Sequence, residues 1–461
     1  MLRKKLTIFC YLTLIGLIYL IATGRSISIS LYDVEAANDN KVLTREEIDA
    51  DISQFLSNLR VLHPYVDNFV STEQIERKSQ QLKNEVCPDT CTIRDLKMIT
   101  LKLIHFIGTD HLFVSGFKKS LPFELHKASQ NEFKLLLDSG EILRNIKHLN
   151  GMPVEKVWFE LEDLTPRLNA NLEDSYISAH SKHFLPLLLD NNNIEVTTTS
   201  AKHTFLASKA NSSSSVLMSE NDDFLYVKIS SMSKLDPQIL FNEFNKLSKQ
   251  HLVLDLRGNR GGSVAKTAKL FEFLTTKHGF KHISPHENRL IKLSKELTEL
   301  NRSSSPFWFL ASAFLECGFK DAYFYKEVKP KLSAICENVE ARTRVTKIQT
   351  SPQIYIVIDG GTASSAAIFA GQMKRSGKAR IFGTVAYGNA LRNYGNSKLI
   401  TLNYSQLVVG IPTTYTYRDT SADIWPTSQY HGVSPHTHCV KLACLAQIKD
   451  EISKASHIKA Y

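Results

Sequence analysis

Apolar positions change their spacing twice along the chain. From Thr44 to Phe113 they recur at helical intervals, with Leu96, Ile99, Leu103 and Ile107 on one face. Thr44-x-x-Glu47 and Ser71-x-x-Gln74 have the form of capping boxes, in which each side chain satisfies an amide at a helix start. The pattern stops at Gly108, just before Asp110-His111. From Val114 to Ser215 the apolar runs are short and mixed. They include Phe133 to Leu137 and GEILRNIKHLNGMPVEKV from Gly140, where Asn150-Gly151 predicts a tight turn between two of them. The polar stretches Asn191 to Asn193 and Asn211 to Ser215 read as loops or linker.

From Val216 onward, short aliphatic runs alternate with helical patterns. Phe224 to Ile229, Leu252 to Leu256 and Ile354 to Ile358 predict strands of a sheet covered by helices, and Arg380 to Gly383 and Gln406 to Pro412 are expected to extend it. The chain therefore divides into an amino-terminal segment over 1–24, a helical region over 40–113, a small β-rich domain over 114–215 and an α/β domain over 216–455.

Composition narrows the class. With 461 residues, 43% of them hydrophobic and 22% charged, the chain is neither disordered, collagen-like nor a polytopic membrane protein. The net charge of +10 is dispersed, without the basic runs that track a phosphate backbone, so nucleic acid is not an expected partner.

The amino terminus changes the picture. Arg3, Lys4 and Lys5 precede an apolar stretch from Leu6 to Ala22, and Ala22-Thr23-Gly24 supplies small residues suited to cleavage. Two readings stay open: a cleaved export signal, or a retained membrane anchor near the lower length limit of about 17 residues. Either places the bulk of the chain outside the cytoplasm, in a periplasmic or extracellular setting. Cys10 follows Phe9 and does not read as a lipid-attachment site. The other six cysteines fall into close pairs, Cys87 with Cys91, Cys317 with Cys336 and Cys439 with Cys444. Local pairing is the simplest of their connectivities, with free buried thiols as the alternative, and no spacing suggests zinc.

Two motifs carry candidate chemistry. In LVLDLRGNRGGS, residues 252–263, a buried-type strand runs into a turn whose glycines let backbone amides converge on a developing negative oxygen. The turn lacks the Walker ending and the GxGxxG spacing, which disfavours phosphate. In IYIVIDGGTASSAAIFAGQM, residues 354–373, a strand leads through Gly360-Gly361-Thr362-Ala363 to Ser364 and an apolar helix. A serine there presents its hydroxyl beside free helix-start amides, unless Thr362 or Ser364 serves only as an N-cap.

The order of these motifs resembles the tail-specific, or C-terminal processing, serine proteases, over roughly residues 45–440, with FLYVKISSM, DLRGNRGG, GGTASSAAI and HGVSPH as the matching segments. The resemblance implies a crotonase/ClpP-like β-sheet-and-helix core, a PDZ-like segment around LPFELHKASQ and LRNIKHLNGMP, a peptide or protein substrate, and no metal or organic cofactor. It implies Ser364 as nucleophile and an oxyanion hole from the amides of Gly261 or Gly262 together with Ser365. One branch of the family uses a lysine twenty-five residues past the serine; that position is Asn389 here, and Lys374 lies about 15 Å along the same helix. The chain is closer to the branch that uses a histidine from an Asp-Gly-His-Thr-like segment, here GTDHL, which makes His111 the general base.

Departures from the branch pattern fall on the supporting residues. Thr109 and Leu112 replace the usual neighbours of the histidine, the orienting carboxylate is Gln429, and the Asp after the Gly-Val-x-Pro segment is His436. Gln429 can orient an imidazole but not stabilise its cation; Asp110 and Asp423 are alternative carboxylates. Losing the third member of a serine triad costs about four orders of magnitude in rate. The alternative reading is therefore a catalytically impaired peptide-binding protein that keeps the protease fold. Acyl-CoA chemistry on a related core is disfavoured by export. Residues 305–319, SPFWFLASAFLECGF, read as a lid or partner-binding helix, or as an ordinary core helix.

Overall fold

The computed structural model describes residues 38–63, 66, 70–87, 90–109, 111–117, 119–129, 132–165, 170–209, 216–220, 223–246, 251–275, 287–293, 322–326, 332–337, 353–387, 392–395, 397–418 and 432–458. The amino-terminal segment, residues 305–319, Asp110, Asn389, Asp423, Gln429 and Cys317 lie outside them.

Helices α1 (Arg45–Leu62) and α2 (Thr72–Val86) begin at the two capping boxes read from the sequence, each with both reciprocal bonds formed. A third box, Thr92 with Asp95, starts α3 (Ile93–Ile107), which ends on Gly108 at φ 70°, a left-handed stop suited to glycine. After it come β1 (Phe113–Val114), β2 (Phe123–Ser129), β3 (Glu132–Leu137) and β4 (Ile146–Leu149). Asn150 and Gly151, at φ 49° and 76°, make the tight turn that follows. Helices α4 (Val154–Glu162) and α5 (Ala170–Leu188) and strands β5 (Asn193–Thr198) and β6 (Lys202–Leu206) complete this part. Helices and strands share one apolar cluster, in which Leu59, Ile99, Phe123, Leu135, Val157 and Leu185 are buried together.

The second part is a six-stranded sheet. Its strands are β7 (Val216–Glu220), β8 (Leu225–Ile229), β9 (His251–Asp255), β10 (Gln353–Ile358) and β11 (Ala379–Gly383), with a two-residue edge at Thr437–His438. Only the β7–β8 pair is antiparallel. Side chains alternate between faces. Leu254, Ile356 and Ile381 lie in register and join α6 (Val264–Thr275) and α7 (Ser364–Arg375) in one cluster, with Leu270, Phe273, Phe369 and Met373. Val253, Tyr355, Val357 and Phe382 point the other way, where Cys444, Ile448 and Ile452 of α8 (Leu442–Ile458) cover them. Strands with both faces buried read as continuous apolar runs, which is why these were visible in the sequence.

The run from Gln406 to Pro412 does not extend this sheet, contrary to the sequence reading. Val408–Ile411 forms an antiparallel hairpin with Lys398–Thr401, and its other edge takes β1 through Val409↔Val114 and Gly410↔Phe113. The hairpin turn is held by Asp51 of α1, and Val409 and Ile411 are buried in the cluster of the first part. A strand so short and apolar satisfies its alternation equally well against either core, and the turn's partner decides. A separate five-stranded antiparallel sheet is formed by Ala322–Lys326, Leu332–Glu337, Glu287–Leu293, Thr414–Arg418 and Arg392–Gly395, in that order.

Two disulfides join Cys87 to Cys91 and Cys439 to Cys444, the local pairing expected. Among the described residues no helix is long and apolar enough to cross a membrane.

Candidate active site

Because β9 and β10 are adjacent and parallel, with Asp255 beside Val357, the segments that follow them emerge side by side at one edge of the sheet. That edge is where open parallel sheets place their ligands. The first segment is the LRGNRGGS turn and the second is DGGTAS, so topology alone brings the two motifs together.

Direct bonds then fix their separation. The Thr362 hydroxyl donates to the Leu256 carbonyl at 2.9 Å, and the Ala363 amide donates to the Asn259 carbonyl at 2.8 Å. Asn259 is fully buried; its side-chain amide donates to the Ile229 carbonyl at 2.8 Å, and its Oδ1 accepts the Gly261 N–H at 2.9 Å. Gly261 has φ 96°, and a Cβ there would meet Ser364 Cβ at 2.7 Å and the Ser365 nitrogen at 2.9 Å. Gly262, at φ 134°, backs onto Ser233, and its carbonyl accepts the Ser365 hydroxyl at 3.3 Å. Gly261, Gly262, Ser364 and Ser365 are thus one contiguous group.

Ser364 is the first residue of α7. The N-cap is Ala363, with no side-chain cap bond, and the Thr362 hydroxyl is bonded across to Leu256, so neither hydroxyl is spent as a cap. Ser364 is half-buried and has φ 50°. A positive φ is adopted most readily by Asn, Asp and His but strains most other side chains, and such strain gathers at functional sites. Among the described residues four side chains other than Asn or Asp carry it: His111, Ser364, Gln406 and Lys441. Two of these are the expected base and nucleophile.

His111, at φ 61°, stands on the turn between Gly108 and β1, flanked by the buried Thr109 and Leu112. Its carbonyl accepts the Ser397 hydroxyl at 3.1 Å, and two residues on, β1 pairs with the 408–411 strand. Lys374 sits in the last turn of α7 with its ammonium on the Ser434 carbonyl at 2.6 Å. His436 is tied to the sheet, its Nδ1 accepting the Ile381 N–H at 2.9 Å.

Several residues at this edge carried no sequence signal. Helix α5, from the β-rich region, lies across the serine turn: the Ser175 hydroxyl bonds Thr384 Oγ1 at 2.8 Å and the Val385 carbonyl at 2.9 Å, and a Cβ on Gly360 would fall 2.0 Å from the Ser175 carbonyl. Tyr176 packs its ring 4.6 Å from Tyr387 and stacks on His180. Burial, and after it the charge of Arg260, pushes the His180 imidazole well below its usual range. Asp359 closes β10; burial raises its carboxyl even though Gly258 donates an amide to it. Beneath the first turn, Asp255 is fully buried, gripped by Arg257 and by the Tyr226 hydroxyl at 2.6 Å; burial raises its carboxyl, but the Arg257 guanidinium holds it below the usual range.

Comparison with known proteins agrees with this geometry. Residues 223–438 match the profile of peptidase family S41. No curated protein matches the chain. Among solved structures the chain is similar to mature CPAF, at 16% identity and a TM-score of 0.54, over 85% of this chain and 92% of that one. It is also similar to mature CPAF complexed with lactacystin, at 14% identity and a TM-score of 0.56, over 90% and 99%. The shared property is the fold. The segment that matches the family, 223–438, holds five of the sheet's six strands and both turns.

Proposed function

We propose that the chain is an exported serine-type peptidase that hydrolyses peptide bonds through an acyl-enzyme on Ser364. The observation that carries the reading is Ser364 itself: a strained, half-buried serine at a strand-to-helix turn, not used as a cap, lying against the glycine-rich turn. His111 takes the proton of the hydroxyl as Oγ attacks the substrate carbonyl, then returns it to the leaving amine; water and His111 repeat the steps to release the acid. The oxyanion falls to the amides of Gly262 and Ser365. Ser365 lies in the first helical turn, where amides have no helical acceptor, whereas the Gly261 amide is committed to Asn259 and Gly261 serves by bringing the turn close. Gln429 enters as the orienting partner of His111 on the sequence pattern alone. The PDZ-like reading of 114–215 gives this region the task of presenting the substrate as an added strand. Action outside the cytoplasm, with or without an anchor, is supported by the amino-terminal segment and the two disulfides.

A fluorophosphonate probe tests the assignment. Wild-type protein labels on Ser364, and Ser364→Ala and His111→Ala do not. CPAF has been obtained with lactacystin, which makes that compound a second probe. Folded wild-type protein that resists both probes sinks the catalytic reading and leaves a peptide-binding protein on a protease fold.

A further inference from the structure

One carboxylate oxygen joins the two turns. Asp359 Oδ1 accepts the Gly258 N–H at 2.9 Å from the first turn, and the Gly361 N–H at 2.9 Å from the second. The Thr362 hydroxyl lies 3.1 Å from the same oxygen, and the Thr362 Oγ1 accepts the Asp359 backbone N–H at 3.0 Å. A Cβ on Gly361 would stand 3.1 Å from Gly258 Cα, so the two chains touch at this bond. Gly258 is three residues before Gly261, and Gly361 three before Ser364, so the carboxylate clamps both arms at equal distance from the reacting groups.

The other cross-links between the turns lie close by. Thr362 to Leu256 and Ala363 to Asn259 set the height of the second turn against the first. Neither engages Gly258. At φ 71°, with no atom within 4 Å of where its Cβ would be, Gly258 is open on its outer side and is held by its amide bond to Asp359 and its contact with Gly361. Removing that bond frees the bend on which Gly261 and Gly262 hang.

We infer that Asp359 is a positioning residue of the peptidase site, holding the glycine-rich turn at the distance from Ser364 at which its amides meet the developing oxyanion. This rests on the serine-peptidase reading. Asp359 does not touch the substrate; it acts through Gly258 and Gly361. A displacement near 1 Å in such an arrangement costs about 10²-fold in rate, and it acts on the transition state more than on substrate binding.

The experiment compares wild-type protein with Asp359→Ala and Asp359→Asn by three readouts: fluorophosphonate labelling rate at Ser364, kcat and KM on a peptide substrate, and amide hydrogen exchange at Gly258 and Gly361. Asparagine keeps an acceptor oxygen at the same place. The expected result is labelling and kcat reduced by about 10²-fold in Asp359→Ala, KM unchanged, exchange accelerated at both glycines, and all three restored to near wild type in Asp359→Asn. If Asp359→Ala does not accumulate folded, Asp359→Ser, too short to reach both amides, is read in its place. Wild-type labelling rate in the alanine or serine variant overturns the inference alone. An asparagine variant as slow as alanine, with both amides still protected, also overturns it, since charge and not the clamp would then be acting. Wild-type protein that does not label overturns the peptidase reading and the inference with it.

Discussion

Gly261 and Ser364 meet across the two turns so closely that a methyl group on the glycine would lie 2.7 Å from the serine Cβ. The neighbours on that side are backbone atoms and a short side chain, with no flexible end to move aside. Gly261→Ala therefore separates the turns and adds the strain of a side chain at φ 96°, about 1–3 kcal/mol. Labelling of Ser364 is expected to fall by about 10²-fold. Gly377→Ala is the control: its φ of 64° carries similar strain, but its Cβ meets nothing, so thermal stability drops while labelling persists. Equal labelling in the two variants would refute the close-approach argument.

Asp51 ties the front of the chain to its back. Fully buried on α1, it accepts the amides of Tyr404 at 3.0 Å and Ser405 at 2.8 Å, in the turn of the hairpin whose 408–411 strand pairs with β1 just after His111. Asp51→Ala leaves the buried Ser405 amide without its acceptor, at about 1–3 kcal/mol. The expected outcome is a lower Tm together with slower Ser364 labelling, because the hairpin that flanks His111 loosens. A lower Tm with unchanged labelling would separate the hairpin from the site.

What was legible in the sequence follows from which interactions are local. The capping boxes at Thr44 and Ser71 and the Asn150-Gly151 turn are completed within four residues, and each formed as read. The strands at 252–256 and 354–358 were visible because burial on both faces leaves only apolar residues. Adjacency of the two motifs then followed from parallel pairing. The 408–411 strand was misplaced because its sheet is chosen by Asp51, more than 350 residues away in sequence. Helix α5 crosses the serine turn through Ser175 and Gly360, a contact with no periodicity to betray it. Asp359 carries no signal in the sequence, and only the convergence of amides on one oxygen sets it apart.

The two disulfides close short loops in different cores. Cys87 and Cys91 are buried in the cluster of the helical region, and Cys439 and Cys444 anchor α8 over the sheet, where the Cys439 amide also donates to the Gly383 carbonyl at 3.0 Å. Loops of four or five residues give about 2 kcal/mol each on the chain-entropy account. Cys91→Ser and Cys444→Ser should each lower stability by that order in urea unfolding, and the double variant should show their sum to within about 0.5 kcal/mol. A large departure from the sum would mean that the two cores unfold as one coupled unit.

Asp255 is the costliest single side chain to remove beneath the first turn. Arg257 is bonded to both its oxygens and to the Lys441 carbonyl, and Tyr226 donates its hydroxyl at 2.6 Å. Breaking a buried pair by deleting one partner leaves a charge without compensation, worth about 3–5 kcal/mol. Asp255→Ala should lose stability of that order, and Asp255→Asn, which keeps one acceptor, distinctly less. A loss below about 1 kcal/mol in the alanine variant, the range of exposed pairs, would show that water reaches the pair.

Stability should fall on mild acidification, through histidines. Partial desolvation of its exposed ring, and then the charges of Lys374 and Arg380, hold His436 below its usual range, and full burial does the same to His180. In the unfolded chain both take up protons near pH 6.5. Between that pH and their lower folded values the unfolded state binds more protons, so stability rises with pH. The contribution is complete above about pH 6.5, is lost as pH falls through the folded values, and changes no further below them. The carboxylates act lower: Glu124 is buried, which raises it, yet its bond to His126 and the charge of Lys182 bring it to about 2, so its stabilisation erodes only below the ordinary carboxylate range near 4.3. Asp359, raised by burial, binds its proton first in the folded state and acts with the opposite sign, while the imidazoles drive the loss of stability below about pH 6.5. His436→Asn keeps an acceptor for the Ile381 amide but cannot titrate, so its urea midpoint should decline less between pH 7 and pH 5 than that of wild type. Identical declines would remove His436 from the account and leave the acid sensitivity to His180 and the other buried imidazoles.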